Sequence, residues 1–182
     1  MVAILFEGKS DANIINKICI AYGLPITEIK YYNFEGKDNI FNIGHKYYNE
    51  LEKDVKSLQR IDKILIVVDA DNESDSAPYR GFEASENKLK ETIKDLDLSV
   101  SIDYYIMCNT KKEGNLESFL LSVLDDGQLD CIESFRECYK YELSDKWAYN
   151  TFYKQKNHPF DFNHDNFILL KEKLEKLFDA KT

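Results

Sequence analysis

Cysteine is scarce in this sequence, and the few cysteines form no recognisable pattern. There are 4 among 182 residues, and no two of them make a CxxC pair or lie at zinc-finger spacing from a histidine. Disulfide frameworks and structural zinc sites both carry such spacing signatures. The sequence therefore predicts scattered reduced thiols in the core or on the surface.

Basic charge is also in short supply. Lys and Arg number 24 against 33 Asp and Glu, which gives a formal net charge of −9. This balance argues against a protein that coats nucleic acid by charge alone, because such proteins neutralise phosphates with Lys and Arg. It leaves open an enzyme that meets phosphates through a bound metal ion, since the metal would supply the positive charge.

Long hydrophobic runs are missing as well. The apolar runs at 2–6 and 64–68 are far too short to cross a bilayer. Residues 2–6 have no basic leader before them and run directly into Glu7, so they do not resemble a signal peptide. We therefore expect a cytoplasmic protein without a membrane partner.

The sequence does contain a regular alternation of strand-like and helix-like segments. Its composition, with 43% hydrophobic and 31% charged residues, is typical of a globular domain. The alternation predicts an α/β fold with a mostly parallel four-stranded sheet and helices on both faces. The predicted strands are 2–6, 28–34, 63–68 and 100–107, and the predicted helices are one capped by Ser10, then 38–58, 82–96 and one that opens near Glu117.

The last third of the chain has a different character, because it is helical and aromatic. We expect residues 1–125 to form the α/β domain and residues 126–182 to form a helical extension packed on the same domain. Phe167, Leu170 and Leu174 are spaced for one face of a final amphipathic helix.

Acidic residues follow the predicted strands. In an open parallel sheet, ligands bind beyond the carboxyl ends of the strands. On an extended segment, residues i and i+2 face the same side, so Asp69 and Asp71 can converge. Converging carboxylates repel each other unless a cation joins them, and Mg²⁺ prefers oxygen ligands. The candidate metal ligands are Glu7, Asp11, Asp69, Asp71 and Glu117.

Each of these acids also has an ordinary alternative role. Asp11 and Glu117 fall in the first turns of predicted helices, where the helix dipole favours a negative charge. Glu7 could likewise be an acid near a helix N-terminus that the dipole favours. Asp69 and Asp71 could be ordinary solvated acids in a turn. The sequence alone leaves these alternatives open.

The order of the acids resembles that of the toprim domain, which occurs in topoisomerases, bacterial primases and OLD-type nucleases. Glu7 corresponds to the glutamate that ends the first toprim strand, and Asp69 and Asp71 correspond to the toprim DxD. The ExxxD spacing from Glu7 to Asp11 is similar to the OLD-nuclease version. Residues 114–120, Gly-Asn-Leu-Glu-Ser-Phe-Leu, resemble the G-x-LE-x-F stretch of a family of small toprim-related proteins.

The resemblance implies a Rossmann-like toprim fold and a Mg²⁺- or Mn²⁺-dependent phosphodiester-cleaving activity on DNA or RNA. The glutamate would act as a general acid or base, and the five acids would form the metal shell. A lysine often stabilises phosphate charge in such sites. The candidates on neighbouring loops are Lys9, which shares its turn with Glu7, and Lys37, Lys111 and Lys112.

The chain also departs from the larger toprim enzymes. It is too short to carry the additional domain of a topoisomerase or the zinc module of a primase. No GxxxxGK[ST] loop occurs in it, so an ATPase of the OLD type would have to be a separate partner chain. Assembly of several copies into a homo-oligomer is left open.

Two other functions compete with the nuclease. The domain could be a non-catalytic binding or regulatory module, with the acids serving a partner or no metal at all. It could also be a nucleotide-sugar transferase, in which a DxD after an apolar strand binds a metal and a diphosphate. The early Glu-Gly turn and the short chain disfavour the transferase.

Overall fold

Four parallel strands form the centre of the computed structural model, which describes residues 1–73, 78–139, 143–153 and 160–179. The strands are β1 (Val2–Phe6), β2 (Ile29–Asn33), β3 (Lys63–Asp69) and β4 (Ser101–Met107), and their order in the sheet is β2-β1-β3-β4. This arrangement confirms the predicted α/β fold, and it is consistent with a Rossmann-like architecture.

Helices connect the strands and cover both faces of the sheet, as expected for parallel strands. The helix predicted at 82–96 has those bounds in the structure, and the helix after β4 begins at Leu116. The helices of the described residues are α1 (Lys9–Ala21), α2 (Lys37–Phe41), α3 (Lys46–Glu52), α4 (Phe82–Leu96), α5 (Leu116–Leu121), α6 (Asp126–Cys138), α7 (Asp145–Ala148) and α8 (Ile168–Phe178).

The single helix predicted over 38–58 is wrong. The structure breaks it after α2, begins α3 at Lys46 and ends with a π-helical turn over Lys53–Ser57. Gly44 lies in the break, and His45 then caps α3 by accepting the Tyr47 N–H on Nδ1 at 3.4 Å. An apolar face with helical spacing does not reveal such a break, because the two short helices still point the same side chains toward the sheet.

Two hydrophobic cores lie on opposite faces of the sheet, because successive side chains of a strand alternate between faces. Ile4 of β1 points to the core that contains α1, whereas Leu5 points to the core that contains α4. All five residues of β1 are buried, which explains its uninterrupted apolar sequence.

The described part of the C-terminal segment contributes to the core on the α1 side. Phe167 is fully buried, and its ring meets that of Phe119 edge-on at 4.9 Å between centroids. At the far end of α8, Lys63 donates hydrogen bonds from Nζ to the carbonyl oxygens of Lys176 and Asp179, at 2.7 and 2.9 Å. Residues 140–142, 154–159 and 180–182 of the predicted extension lie outside the described residues.

No helix in the described ranges is long and apolar enough to cross a membrane. The longest, α4, has 15 residues and carries charges along its length. A span needs about 20 predominantly apolar residues.

The contribution of α8 can be tested with two adjacent leucines. Leu170 is 0% exposed and Leu169 is 55% exposed. We expect Leu170→Ala to lower the free energy of unfolding by about 2–5 kcal/mol, because it opens a cavity in the core, and Leu169→Ala to change it by less than about 0.5 kcal/mol. Urea unfolding of both variants checks this, and equal losses would show that α8 does not contribute as described.

Candidate functional site

The carboxyl ends of β1 and β3 bring two of the predicted site residues into direct contact. The strands are neighbours in register, with Phe6 opposite Val67, so Glu7 emerges beside the end of β3. Oε1 of Glu7 accepts a hydrogen bond from the Asp69 backbone N–H at 2.7 Å. The first strand's acid is therefore tied to the backbone of the third strand.

Asp11 lies on the same side of the site, in the first turn of α1. Gly8 is the N-cap of this helix, so the helix begins before Ser10, the predicted cap. Oδ2 of Asp11 accepts the Gly8 N–H at 2.8 Å, and only 7% of the residue is exposed. Asp11 thus has the ordinary capping role that the sequence left open, and it performs that role while buried beside other acids.

Asp69 connects the site to α5. Its Oδ1 accepts the backbone N–H of Leu116 at 2.9 Å, and Glu117 follows in the first turn of the helix. Burial raises the pKa of Asp69 well above its usual range, and the negative charges of Glu7, Asp11, Asp71 and Glu117 raise it further. These five predicted acids therefore share one electrostatic environment.

Glu7 and Asp11 also hold their protons more tightly than ordinary carboxylic acids. Burial raises the pKa of Glu7 to about 7, although the Asp69 backbone hydrogen bond and the charge of Lys37 act in the opposite direction. Burial, assisted by the charge of Glu117, raises the pKa of Asp11 to about 6. Both shifts show that the ionised forms are incompletely compensated within the protein.

Asp71 behaves differently from Asp69, although both belong to the DxD triplet. Its backbone has a φ of +60° and forms an antiparallel bridge with Gly114. Its Oδ2 accepts hydrogen bonds from Lys37 Nζ and from Arg80 Nη1, each at 2.9 Å. The carboxylate of Asp71 is thus already paired with two cationic side chains.

Lys37 is the one of the four candidate lysines that the fold buries at the site. Its side chain is 1% exposed, and Nζ also donates to the carbonyl oxygen of Ala70 at 3.0 Å. Lys9, Lys111 and Lys112 are exposed. The structure therefore places Lys9 at the surface as the first residue of α1, and it brings Lys37 to the acids as the first residue of α2.

Arg80 is a site residue that the sequence analysis missed. It follows a polar stretch with no regular periodicity, and nothing in its neighbours indicates that it would return to the end of β3. A cation was nonetheless to be expected near the acids on electrostatic grounds.

The Gly-Asn-Leu-Glu stretch has a physical role in shaping the site. Gly114 has a φ of +86°, and a Cβ at this position would lie 2.2 Å from Ser118 Oγ, so only glycine fits. Asn115 caps α5 by accepting the Ser118 N–H on Oδ1 at 3.1 Å. Together these two residues direct the Leu116 N–H toward Asp69.

The donor chemistry of the cluster fits a hard divalent cation. The acids supply oxygen ligands and an excess of negative charge, which is what Mg²⁺ binds. However, among the described residues no three His, Cys, Asp or Glu side chains converge as a ready-made metal group. Glu7, Asp11 and Asp69 each accept a backbone N–H, and Asp71 faces two cations, so metal binding would need side-chain movements.

The raised pKa of Glu7 leads to a prediction about stability and pH. Between about pH 4.5 and 7 the folded chain holds a proton that the unfolded chain releases, so the free energy of unfolding should fall as the pH rises through this range. In metal-free buffer we expect the free energy of unfolding of Glu7→Gln to decrease by about 1–3 kcal/mol less than that of the parent over this pH range. Residues 6–9 and 34–37 both read Phe-Glu-Gly-Lys, so Glu35 occupies the place of Glu7 in a second turn. Glu35 is exposed, which makes Glu35→Gln the matched control. An unchanged slope in Glu7→Gln would contradict the assignment.

The two aspartates of the triplet should respond in opposite directions to the same substitution. Asp69→Asn keeps an acceptor for the Leu116 N–H and relieves repulsion, so metal-free stability at pH 8 should rise. Asp71→Asn removes the carboxylate paired with the buried Lys37, so stability should fall by about 2 kcal/mol. Urea unfolding measures both, and a loss of stability in Asp69→Asn equal to that in Asp71→Asn would contradict this account.

Comparison with known proteins gives a family and no activity. No curated protein and no solved structure is significantly similar to this chain. A family model described as "Protein of unknown function (DUF3226)" matches residues 2–159, which include all four strands and every acid of the site. The chain therefore belongs to the DUF3226 family.

Proposed function

We propose that this protein is a Mg²⁺- or Mn²⁺-dependent phosphodiester-cleaving protein that acts on nucleic acid. The observation that carries the proposal is the crowding of the buried Asp11 and the half-buried Glu7 and Asp69 at one end of the sheet, with the pKa values of all three raised. Perturbed carboxylates in a cleft are a common mark of a functional site. Their position beyond the carboxyl ends of β1 and β3 is where open parallel sheets bind ligands.

A divalent cation would relieve the electrostatic cost of this cluster. Glu7 and Asp69 are the central candidates for ligands, with Asp11 and Glu117 beside them and Asp71 available once it releases its cations. When bound, Mg²⁺ would supply Lewis-acid stabilisation of charge on a phosphodiester. The order of the acids, which resembles that of toprim nucleases, supports this interpretation.

The chain's own residues would handle protons and phosphate charge. A carboxyl group with a pKa of about 7 can gain or lose a proton near neutral pH, so Glu7 is the candidate general acid or base. Lys37 reaches the cluster from α2 and is positioned to balance the charge of a bound phosphate. Lys9, at the surface of the same turn as Glu7, would contact phosphate at the rim.

The proposal also includes the compartment in which the protein acts, a partner chain and the type of nucleic acid. The protein would act in the cytoplasm. An ATPase of the kind that accompanies OLD-type toprim domains would be a separate chain, because the sequence has no GxxxxGK[ST] loop. DNA and RNA are both candidate substrates at this level.

One observation favours the second candidate, a non-catalytic binding or regulatory module. Lys37 and Arg80 already occupy the carboxylate of Asp71, as they would in an acidic cluster that is neutralised without metal. Such a module would bind no divalent ion, whereas the enzyme must.

Calorimetric titration with Mn²⁺ and with Mg²⁺ separates the two candidates. We expect binding to the parent chain, loss of most binding in Asp69→Asn, and parent-like binding in Glu35→Gln, whose carboxyl group is exposed to solvent. No binding to the parent at millimolar metal would favour the module.

Activity gives an independent test on single-stranded and duplex DNA and RNA with Mn²⁺. Glu7→Gln should keep a substantial part of the metal binding and reduce cleavage by at least about 100-fold, as expected for loss of a general acid or base. Cleavage at the parent rate by Glu7→Gln would rule out this role for Glu7.

A further inference from the structure

Arg80 lies in a turn whose backbone is held close to the end of β3. The Gly81 N–H donates to the carbonyl oxygen of Ala70, directly after the strand, at 2.9 Å. Tyr79 has a φ of +60° and Gly81 a φ of +87°. A Cβ at Gly81 would lie 2.6 Å from Cγ of Glu73, so a side chain there would strain the backbone and displace its neighbour. The turn therefore has a specific conformation that returns Arg80 to the site.

A buried hydroxyl supports the same turn from the start of α4. Ser85 is 0% exposed, and its Oγ lies 2.7 Å from the carbonyl oxygen of Gly81 and 3.1 Å from that of Tyr79. The hydroxyl proton can be donated to either oxygen. The backbone on both sides of Arg80 is thus tied to a helix, and this fixes where its side chain begins.

The two cations at Asp71 are held in different ways. Lys37 and Arg80 both donate to the same oxygen of Asp71, Oδ2. Lys37 also donates to the carbonyl oxygen of Ala70, and its side chain is 1% exposed. The side chain of Arg80 is 20% exposed. Lys37 is therefore a fixed partner of the carboxylate, whereas Arg80 is the cation that can exchange its partner.

Most hydrogen-bond donors of Arg80 are unused. A guanidinium presents several N–H donors in one plane, and among the described residues that of Arg80 has one acceptor, Asp71. None of its nitrogen atoms is both buried and without a partner, so the remaining donors reach solvent. Adjacent N–H groups of a guanidinium match two oxygens of a phosphate. Arg80 thus offers the site a donor set suited to phosphate.

We propose that Arg80 binds a phosphate of the nucleic-acid strand once a divalent cation has taken up the negative charge of Asp71. The metal and Arg80 compete for the same carboxylate, so metal binding at Asp71 releases the guanidinium. The phosphate then replaces Asp71 as its partner, while Lys37 stays bound to Ala70. The inference rests on the proposed function for the metal, and it assigns recognition of the strand's backbone to Arg80.

The exchange can be tested without metal, because Asp71→Asn removes the charge that holds Arg80. Asparagine tolerates the φ of +60° at this position. In EDTA we would follow, by fluorescence anisotropy, the binding of a fluorescein-labelled oligothymidylate with phosphorothioate linkages, which keep the negative charge and resist hydrolysis. We expect Asp71→Asn to bind at least about fivefold more tightly than the parent, as for one hydrogen bond between charged groups. Asp71→Asn/Arg80→Gln should lose this gain.

Two control variants make the same changes of charge at the opposite end of the sheet. Glu28 precedes β2 and Arg60 precedes β3, and both are exposed. Glu28→Gln should not produce the gain in strand binding, and Arg60→Gln added to Asp71→Asn should not abolish it. Arg80→Lys added to Asp71→Asn keeps the charge without the planar donors, so it should retain only part of the gain.

Calorimetry with Mn²⁺ tests the competition itself. In the absence of the strand, Arg80→Gln should bind Mn²⁺ more tightly than the parent, because a competing cation is gone. A strand that holds Arg80 away from Asp71 should raise the affinity of the parent for Mn²⁺ by at least about fivefold, since coupling between two ligands is reciprocal. The same strand should not raise the affinity of Arg80→Gln.

Several results would overturn the proposal. These are the absence of strand binding by Asp71→Asn, an equal gain in Glu28→Gln, and a gain that survives in Asp71→Asn/Arg80→Gln. Loss of stability in Arg80→Gln, with strand binding and Mn²⁺ affinity unchanged, would also overturn it and would leave Arg80 a purely structural role.

Failure of this proposal and failure of the proposed function are distinguishable. The titration in EDTA contains no metal and no readily cleaved linkage. A gain that depends on Arg80, in a chain that binds no Mn²⁺, would leave Arg80 as a phosphate-binding residue and remove the nuclease. Cleavage of phosphodiester strands at equal rates by the parent and by Arg80→Gln would keep the nuclease and remove Arg80 from its site.

Discussion

The repulsion among crowded carboxylates that are largely withdrawn from solvent is the constraint on which the rest of this site depends. Glu7, Asp11 and Asp69 are held together by backbone N–H donors from three different segments, Asp69, Gly8 and Leu116. These neutral donors fix the side chains in place but leave their charge incompletely balanced. The arrangement costs stability and is not required by a folded core, which is the physical ground for the function proposed above.

The two Phe-Glu-Gly-Lys turns show how much the sequence reveals and where it stops. Both follow a parallel strand, as their pattern predicts. In the first turn Glu7 points into the site and Lys9 is exposed, whereas in the second Glu35 is exposed and Lys37 is buried. The difference lies in the backbone, because Gly8 has a φ of −145° while Glu35 and Gly36 have φ values of +58° and +137°. Four identical residues cannot encode which of the two side chains, Glu or Lys, points inward. The packing around each turn therefore decides it.

Other features of the structure also separate into those that the sequence predicts and those that it does not. The strands and α4 could be predicted because alternation and apolar periodicity are local, and the approach of Glu7 to Asp69 followed from the parallel topology. The break between α2 and α3 has local signals, Gly44 and the His45 cap, but the continuous apolar spacing on both sides hides them. The ion pair of Arg80 with Asp71 has no such signal, because it depends on how the chain packs around the end of β3.

Strand β3 is secured at both of its ends by helix termini. Lys63 at its start donates to the last carbonyl groups of α8, and Asp69 at its end accepts from the first turn of α5. The strand also pairs with β1 and β4 on its two edges. Its backbone amides can therefore meet solvent deuterium only when the whole sheet opens, so hydrogen exchange at residues 64–68 would report the global free energy of unfolding rather than local fraying.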